Sequence, residues 1–539
     1  MTAVATSTIT AADLHELLLG TGEYALVDVR EPAITADRGS ILLAASIPLS
    51  ILELRVRQLV PRLATPVVVY DSGDETLADR GAARLRDLGY TDVRVLDGGL
   101  AAWGAAGYKV QSGGDHVIGQ AFGEWIEHVY ETPHLTVEEY RRRREAGEDI
   151  VLLDSRPEGE FRNHSLPEGT SIPGAELVYR AAEVVKSPDT LVVVNCAGRT
   201  RSILGAQVLI NAGLPNKIVS LEGGTQSWVL EGHTLDHGKD RSAPLPEGEA
   251  LAAAKAAAAR FADRFGIKRI DKKALQGFRA DDARSLFVLD VRTPEEFESG
   301  HLAGSRSAPS WDVAPWTFRH VGTHNARIVL VDNDTVRSTV AASWIEQIGW
   351  GEVYVLTDAF DEGALSIGSE PADIPGVPST GYTTIAPAAI APEQRGDAVV
   401  VDLAPSPIYK TGHIPGAHFA IRSQLADSAG DLPGTGPLVL TSPDDVLARF
   451  AAAELAAVTD REVRVVEGGT DAYAALGLPL ESETAAWLHD AVDVVPSGWR
   501  ETDPEKRKAG FRRYLSWELG LVAELDQDDT VPFKRFEAS

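Results

Sequence analysis

Short, unbroken apolar runs alternate with longer stretches of helical period along this chain, in the same order four times over. Each round opens on a strand-like run ending in Asp: Ala25-Leu26-Val27-Asp28-Val29-Arg30, Ile150-Val151-Leu152-Leu153-Asp154-Ser155-Arg156, Leu286-Phe287-Val288-Leu289-Asp290-Val291-Arg292 and Val399-Val400-Val401-Asp402-Leu403. Three rounds continue into a turn segment: Leu166-Pro167-Glu168-Gly169 with Ile172-Pro173-Gly174-Ala175, Gly300-His301-Leu302-Ala303-Gly304, and Gly412-His413-Ile414-Pro415-Gly416-Ala417. A second apolar run comes next, at Val67–Tyr70, Leu191–Asn195, Ile328–Val331 and Leu438–Thr441. A helical pattern and a third run follow, at Val93–Leu96, Ile218–Leu221, Val353–Leu356 and Val463–Val466. Three rounds close on a Gly-Gly pair and an aromatic: Gly98-Gly99 with Trp103, Gly223-Gly224 with Trp228, and Gly468-Gly469 with Tyr473. The third round has Thr357-Asp358-Ala359-Phe360 there instead.

β-Branched runs without polar alternation, separated by helices, describe mainly parallel sheets covered on both faces. The expected fold class is therefore α/β: four tandem domains, each such a sheet with helices on both sides, plus a helical C-terminal tail. The boundaries read as domain 1 at 1–115, a linker at 116–132, domain 2 at 133–240, an Ala-rich helical linker at 241–265, domain 3 at 266–372, domain 4 at 373–482 and the tail at 483–539. A Pro-rich joint, Pro371 to Pro378, precedes the fourth domain. Asp503 to Leu525 reads as an amphipathic helix carrying Tyr514, Trp517 and Leu521, expected to pack on the body of the protein.

Composition narrows the function classes. With 44% apolar and 24% charged residues the chain has a globular make-up. The formal charge of −28 argues against a nucleic-acid partner. The basic run Arg141–Arg144 fits a solvated helix face. No apolar run reaches the roughly 18 residues that would suggest a membrane span, and the N-terminal Met1–Leu19 lacks the pattern of a signal peptide. A cytoplasmic location without membrane contact is the expectation. One cysteine, Cys196, excludes an intramolecular disulfide and a cysteine-cluster metal site. His233 and His237 have the i, i+4 spacing of a ligand pair, but no further ligands are evident, so no metal and no cofactor are expected.

Cys196 stands where ligands bind in open parallel sheets, at the carboxyl end of a strand as it passes into a helix. The segment is Asn195-Cys196-Ala197-Gly198-Arg199-Thr200-Arg201-Ser202. Its backbone amides should converge near the helix start, and with Arg199 and Arg201 should favour thiolate over thiol. These features resemble the rhodanese family, whose active cysteine opens a six-residue loop between a strand and a helix. The Asp-x-Arg strand end, the Gly-His-Ile-Pro-Gly-Ala segment and the Gly-Gly-x-x-x-Trp close belong to the same resemblance, which spans roughly residues 8–482. Tandem four-copy bacterial members are the most similar.

The resemblance implies ping-pong transfer of sulfane sulfur through a Cys196 persulfide, from thiosulfate or a related donor to cyanide or a thiol. Ala197, Gly198, Arg199, Thr200 and Arg201 are then the substrate-binding residues, and Asp154, Arg156 and Ser202 support the loop. Long two-domain thiosulfate sulfurtransferases carry an Arg just before the aromatic that follows the Asp-x-Arg end. Here Glu160 precedes Phe161 and Arg162 follows it. Asp71, Asp332 and Ser442 align with Cys196, so domains 1, 3 and 4 are expected to be inactive and to serve architecture, including a homodimer contact. Three alternatives stand beside this reading: a dual-specificity phosphatase, which has a loop one residue longer; an arsenate reductase, which needs a second cysteine; and a largely non-catalytic interaction protein.

Overall fold

The computed structural model describes residues 7–537 apart from 75, 114–116, 362, 371, 391–395 and 483–485. Pro371 of the expected joint, Met1–Thr6, and the boundary positions 115, 116 and 483 lie outside the described residues.

Four sheets form, and every strand pair within them is parallel. In domain 2 the spatial order is His134–Leu135, Ile218–Leu221, Leu191–Asn195, Ile150–Asp154 and Thr170–Ser171. The same order recurs in the other three. Central strands are buried along their whole length, which is why their sequences read as continuous Val, Leu and Ile. The edge strands Thr8–Ile9 and His134–Leu135 are two residues long and half exposed. The fourth sheet gains a sixth strand, Ala486–Trp487, beside His418–Phe419. That sheet therefore reaches beyond the expected boundary at 482.

The Asp that ends each opening strand has a structural task. Arg30 pairs with Asp28, Arg156 with Asp154 and Arg292 with Asp290 through buried side-chain bonds, the two shortest in each pair being 2.5–2.9 Å. The guanidinium also donates to a carbonyl further on, as Arg156 does to His164 at 2.8 Å. The turn segment is thus tied to the strand end. Domain 4 has no such Arg; Asp402 accepts from the Ala404 amide, and burial pushes its pKa up to about 6.

Helices Ile118–Tyr130 and Gly248–Phe265 fill the two linkers and are the joints of the body. The first packs on Thr200–Asn211, and the second on Glu176–Val184 and Val336–Ile348. Through them domains 1, 2 and 3 share one continuous apolar core, whereas domain 4 has its own. Domains 1 and 4 meet through Arg422, whose guanidinium forks onto buried Glu53 at 2.5 and 2.9 Å. Domains 2 and 3 meet through Arg337 and Glu176 at 2.8 Å. Domains 1 and 3 are joined by a stack in which Tyr24 lies 4.7 Å from His324 and His324 lies 3.9 Å from Trp350. His324 is held neutral, since burial lowers its pKa to about 4, and it contacts the Leu43 carbonyl.

Trp350 is fully buried, and its indole N–H donates to the Val321 carbonyl at 2.9 Å. Trp350→Ala should cost about 3–5 kcal/mol by emptying that volume. Trp350→Phe should cost less, which equilibrium denaturation of the two variants checks.

Candidate active site

Cys196 follows the central strand Leu191–Asn195 and precedes helix Thr200–Asn211. Its sulfur lies 3.4 Å from Ser202 Oγ, which itself donates to the Arg199 carbonyl at 2.8 Å. The equivalent side chains aim the same way. Asp332 accepts from the Arg337 amide and Ser338 Oγ, Ser442 Oγ accepts from the Ala448 amide, and Asp71 accepts from the Gly73 and Ala78 amides. Every copy therefore points this residue at the amides opening the next helix, a place suited to negative charge.

The loop is held from behind by the Gly-Gly turn. The Thr225 and Gln226 amides donate to the Cys196 and Ala197 carbonyls at 2.9 and 3.0 Å. A Cβ on Gly224 would stand 2.2 Å from the Cys196 carbonyl oxygen, and its φ of +51° is left-handed. Domains 1 and 4 repeat the arrangement, with Leu100 and Ala101 donating to Asp71 and Ser72, and Thr470 and Asp471 to Ser442 and Pro443.

The charges around Cys196 differ from the expectation. Arg199 is buried and donates to Glu124 at 2.8 and 2.9 Å, and also to Glu127, both on the linker helix; Glu222 lies 3.7 Å away. Arg201 forks onto Glu160 at 2.7 and 2.9 Å and lies over the Trp316 ring of domain 3. Both guanidiniums are thus paired with carboxylates. The expectation of a depressed thiol pKa is corrected as well. Burial pushes the Cys196 thiol up; Arg201 and Ser202 pull it down but do not win, and Glu518 adds to the rise.

Domain 3 explains the Arg201–Glu160 pair. Arg337 and Glu296 occupy the corresponding positions and form the same fork at 2.7 and 3.0 Å beside an Asp. The fork is thus a feature of the fold that does not require the cysteine. Its acid, Glu160, is the residue that precedes Phe161, where long two-domain thiosulfate sulfurtransferases carry an Arg. Burial raises the Glu160 pKa, but Arg201 outweighs it and holds the carboxyl low.

The remaining wall comes from the far end of the chain. Helix Pro504–Glu518 lies across the loop: Tyr514 and Thr200 both donate to Glu518 Oε1, at 3.0 and 3.1 Å. A Cβ on Gly198 would lie 3.0 Å from Glu518 Oε2 and from the Tyr514 ring. Cys196 is 2% exposed, and Gly198, Arg199 and Thr200 are buried too. In the other copies the loop is open, with Gly73, Asp74, Asn333 and Asp444 exposed. Trp499, also from the tail, stacks on His164 at 4.0 Å, and His164 in turn contacts Arg156. Asp154 accepts from the side chain of Asn195, the residue before Cys196, at 2.9 Å. His233 contacts Arg141, and His237 contacts the Asn163 carbonyl.

Sequence reasoning missed Glu124, Glu127, Trp316, Tyr514 and Glu518. Only Glu124 left a trace, as a lone acid on the apolar face Phe122-Gly123-Glu124-Trp125-Ile126.

The family model described as a rhodanese-like domain matches residues 10–106, 136–231 and 272–365. The chain belongs to the rhodanese family. A crystal structure of thiosulfate sulfurtransferase from Pseudomonas aeruginosa is 40% identical, covers 98% of this chain and 100% of its own, and superposes with a TM-score of 0.93. An HTH-type transcriptional regulator of Mycobacterium tuberculosis is 34% identical over 115 residues, 21% of this chain and 48% of that protein. Thiosulfate sulfurtransferase GlpE of P. aeruginosa is 30% identical over 95 residues, 18% of this chain and 82% of that protein. The chain spans about half the length of the M. tuberculosis relatives it matches. The fourth rhodanese-like unit falls outside the matched residues and is recognised by its strand order.

Within this rhodanese loop, Arg201→Met should move the pH midpoint of Cys196 alkylation upward, because it removes the charge that favours thiolate. Glu160→Gln should move it downward by freeing that charge. Iodoacetamide rates measured against pH check both directions.

Proposed function

We propose that this chain is a sulfurtransferase that carries sulfane sulfur on Cys196. The observation that carries the reading is the position of the single thiol. It occupies the place that three sister domains fill with Asp, Asp and Ser, each accepting hydrogen bonds from amides or hydroxyls at the head of a helix. Such a place stabilises an anionic sulfur, first the thiolate and then the persulfide. The P. aeruginosa structure named thiosulfate sulfurtransferase, which matches nearly the whole chain, supports the same activity.

In the proposed cycle the Cys196 thiolate attacks the outer sulfur of thiosulfate. The bond from that sulfur to the sulfonate breaks, sulfite leaves with the electron pair, and Cys196 persulfide remains. Amides of Ala197 to Ser202 hold the terminal sulfur, with the Arg201 charge favouring its anionic form. Cyanide or a thiolate then takes the outer sulfur and regenerates the thiolate. Asp71, Asp332 and Ser442 cannot form a persulfide, so their domains serve as scaffold and walls; Trp316 of domain 3 already stands over Arg201. No metal or cofactor is needed for these steps.

Steady-state thiocyanate formation from thiosulfate and cyanide should give parallel double-reciprocal lines, as ping-pong turnover requires. Cys196→Ser should abolish turnover. Full turnover in that variant would refute the proposal.

A further inference from the structure

The tail helix brings to Cys196 a carboxyl group with unused hydrogen-bonding capacity. Glu518 Oε1 is satisfied by Tyr514 and Thr200, while Oε2 is buried, has no hydrogen-bond partner among the described residues, and lies against Gly198 of the loop. A buried carboxylate oxygen without a partner is costly, whereas the uncharged acid has a hydrogen to donate. Both loop guanidiniums are already committed to carboxylates. A neighbouring cleft of about 160 Å³, lined by Arg199, Glu222, Gly223, Leu515 and Leu519 among others, reaches the loop along the edge of the same helix.

Resting on the sulfur-transfer reading, we propose that Glu518 is a specificity-determining residue. As an uncharged acid, its Oε2–H donates to the oxyanion of the incoming sulfur donor; as a carboxylate, it repels that donor. The groups facing it are Tyr514 on its own helix, Cys196, Arg199 and Thr200 on the loop, and Glu124 on the linker helix, with Glu127 and Glu222 beyond Arg199 and Arg201 beyond Cys196 and Tyr514. Burial and the Glu124 charge push Glu518 up to about 8, against the bonds from Tyr514 and Thr200. The switch therefore falls near neutral pH: the acid form selects an anionic donor below the transition and is lost above it.

The test compares single-turnover loading of Cys196 by two probes across pH in the full-length protein. Thiosulfate is a dianion. S-Methyl methanethiosulfonate is neutral and transfers a methylthio group to the same thiolate with loss of methanesulfinate. Their rate ratio cancels the ionisation of Cys196 itself. Between about pH 7 and about pH 9 the thiosulfate-to-neutral ratio should fall about tenfold, following the fraction of a group titrating near 8 that stays protonated. In Glu518→Gln, whose amide donates at every pH, the ratio should stay flat. Tyr514→Phe, which removes a bond favouring the carboxylate, should move the fall to higher pH. A flat ratio in the unsubstituted protein, or the same fall in Glu518→Gln, overturns the proposal for Glu518 alone. If thiosulfate loads no sulfur at any pH while the neutral probe reacts, the thiosulfate reading itself fails.

Discussion

Two backbone hydrogen bonds carry the Cys196 loop. The Gly-Gly turn after the third central strand sends its first helical amides into the carbonyls of Cys196 and Ala197, and this requires that Gly224 have no Cβ. With the loop pinned at its base, the side chain at its head points toward the start of helix Thr200–Asn211, 3.4 Å from Ser202 Oγ. The same lock operates in domains 1 and 4 around Asp71 and Ser442. Domain 3 lacks the glycines and orients Asp332 with Ser338 and the Arg337 amide instead. The geometry thus precedes the chemistry: four copies build the same place, and one fills it with sulfur.

What surrounds that place is decided by charge pairing. Burying a guanidinium is costly unless it is paired, so Arg199 and Arg201 each carry carboxylates with them. The loop is consequently less positive than its sequence suggests. At Cys196 burial is the largest effect and pushes the thiol up. The positive field of the helix start remains, which is what a persulfide needs once the proton is gone.

The parts of the fold legible in the sequence were those written in local periodicity. Central strands such as Leu191–Asn195 announce themselves by unbroken burial, and the Asp-x-Arg ends by the pair they form. The edge strands Thr8–Ile9 and His134–Leu135 were illegible, since two half-exposed residues leave no pattern. At the site, Cys196 was found because strand, loop and helix are contiguous. Arg199 and Arg201 were found as residues but not with their partners: Glu124 lies on another element, and Glu160 was noted only as a departure from a family pattern. Tyr514 was legible only as part of a tail helix that packs on the body, Glu518 not at all, and neither as a neighbour of the thiol loop. They sit more than three hundred positions away in a helix whose polar residues look like any solvated face, and only tertiary packing turns that face toward the thiol.

On the proposed reading, one chain carries one transferable sulfur, on Cys196. Intact-mass measurement of the full-length protein after thiosulfate treatment, followed by peptide mapping, tests it most directly. A gain of one sulfur atom is expected, located on Cys196 and removed by cyanide, with no gain in Cys196→Ser. Sulfur retained by the Cys196→Ser protein, or no gain in the unsubstituted one, would contradict it.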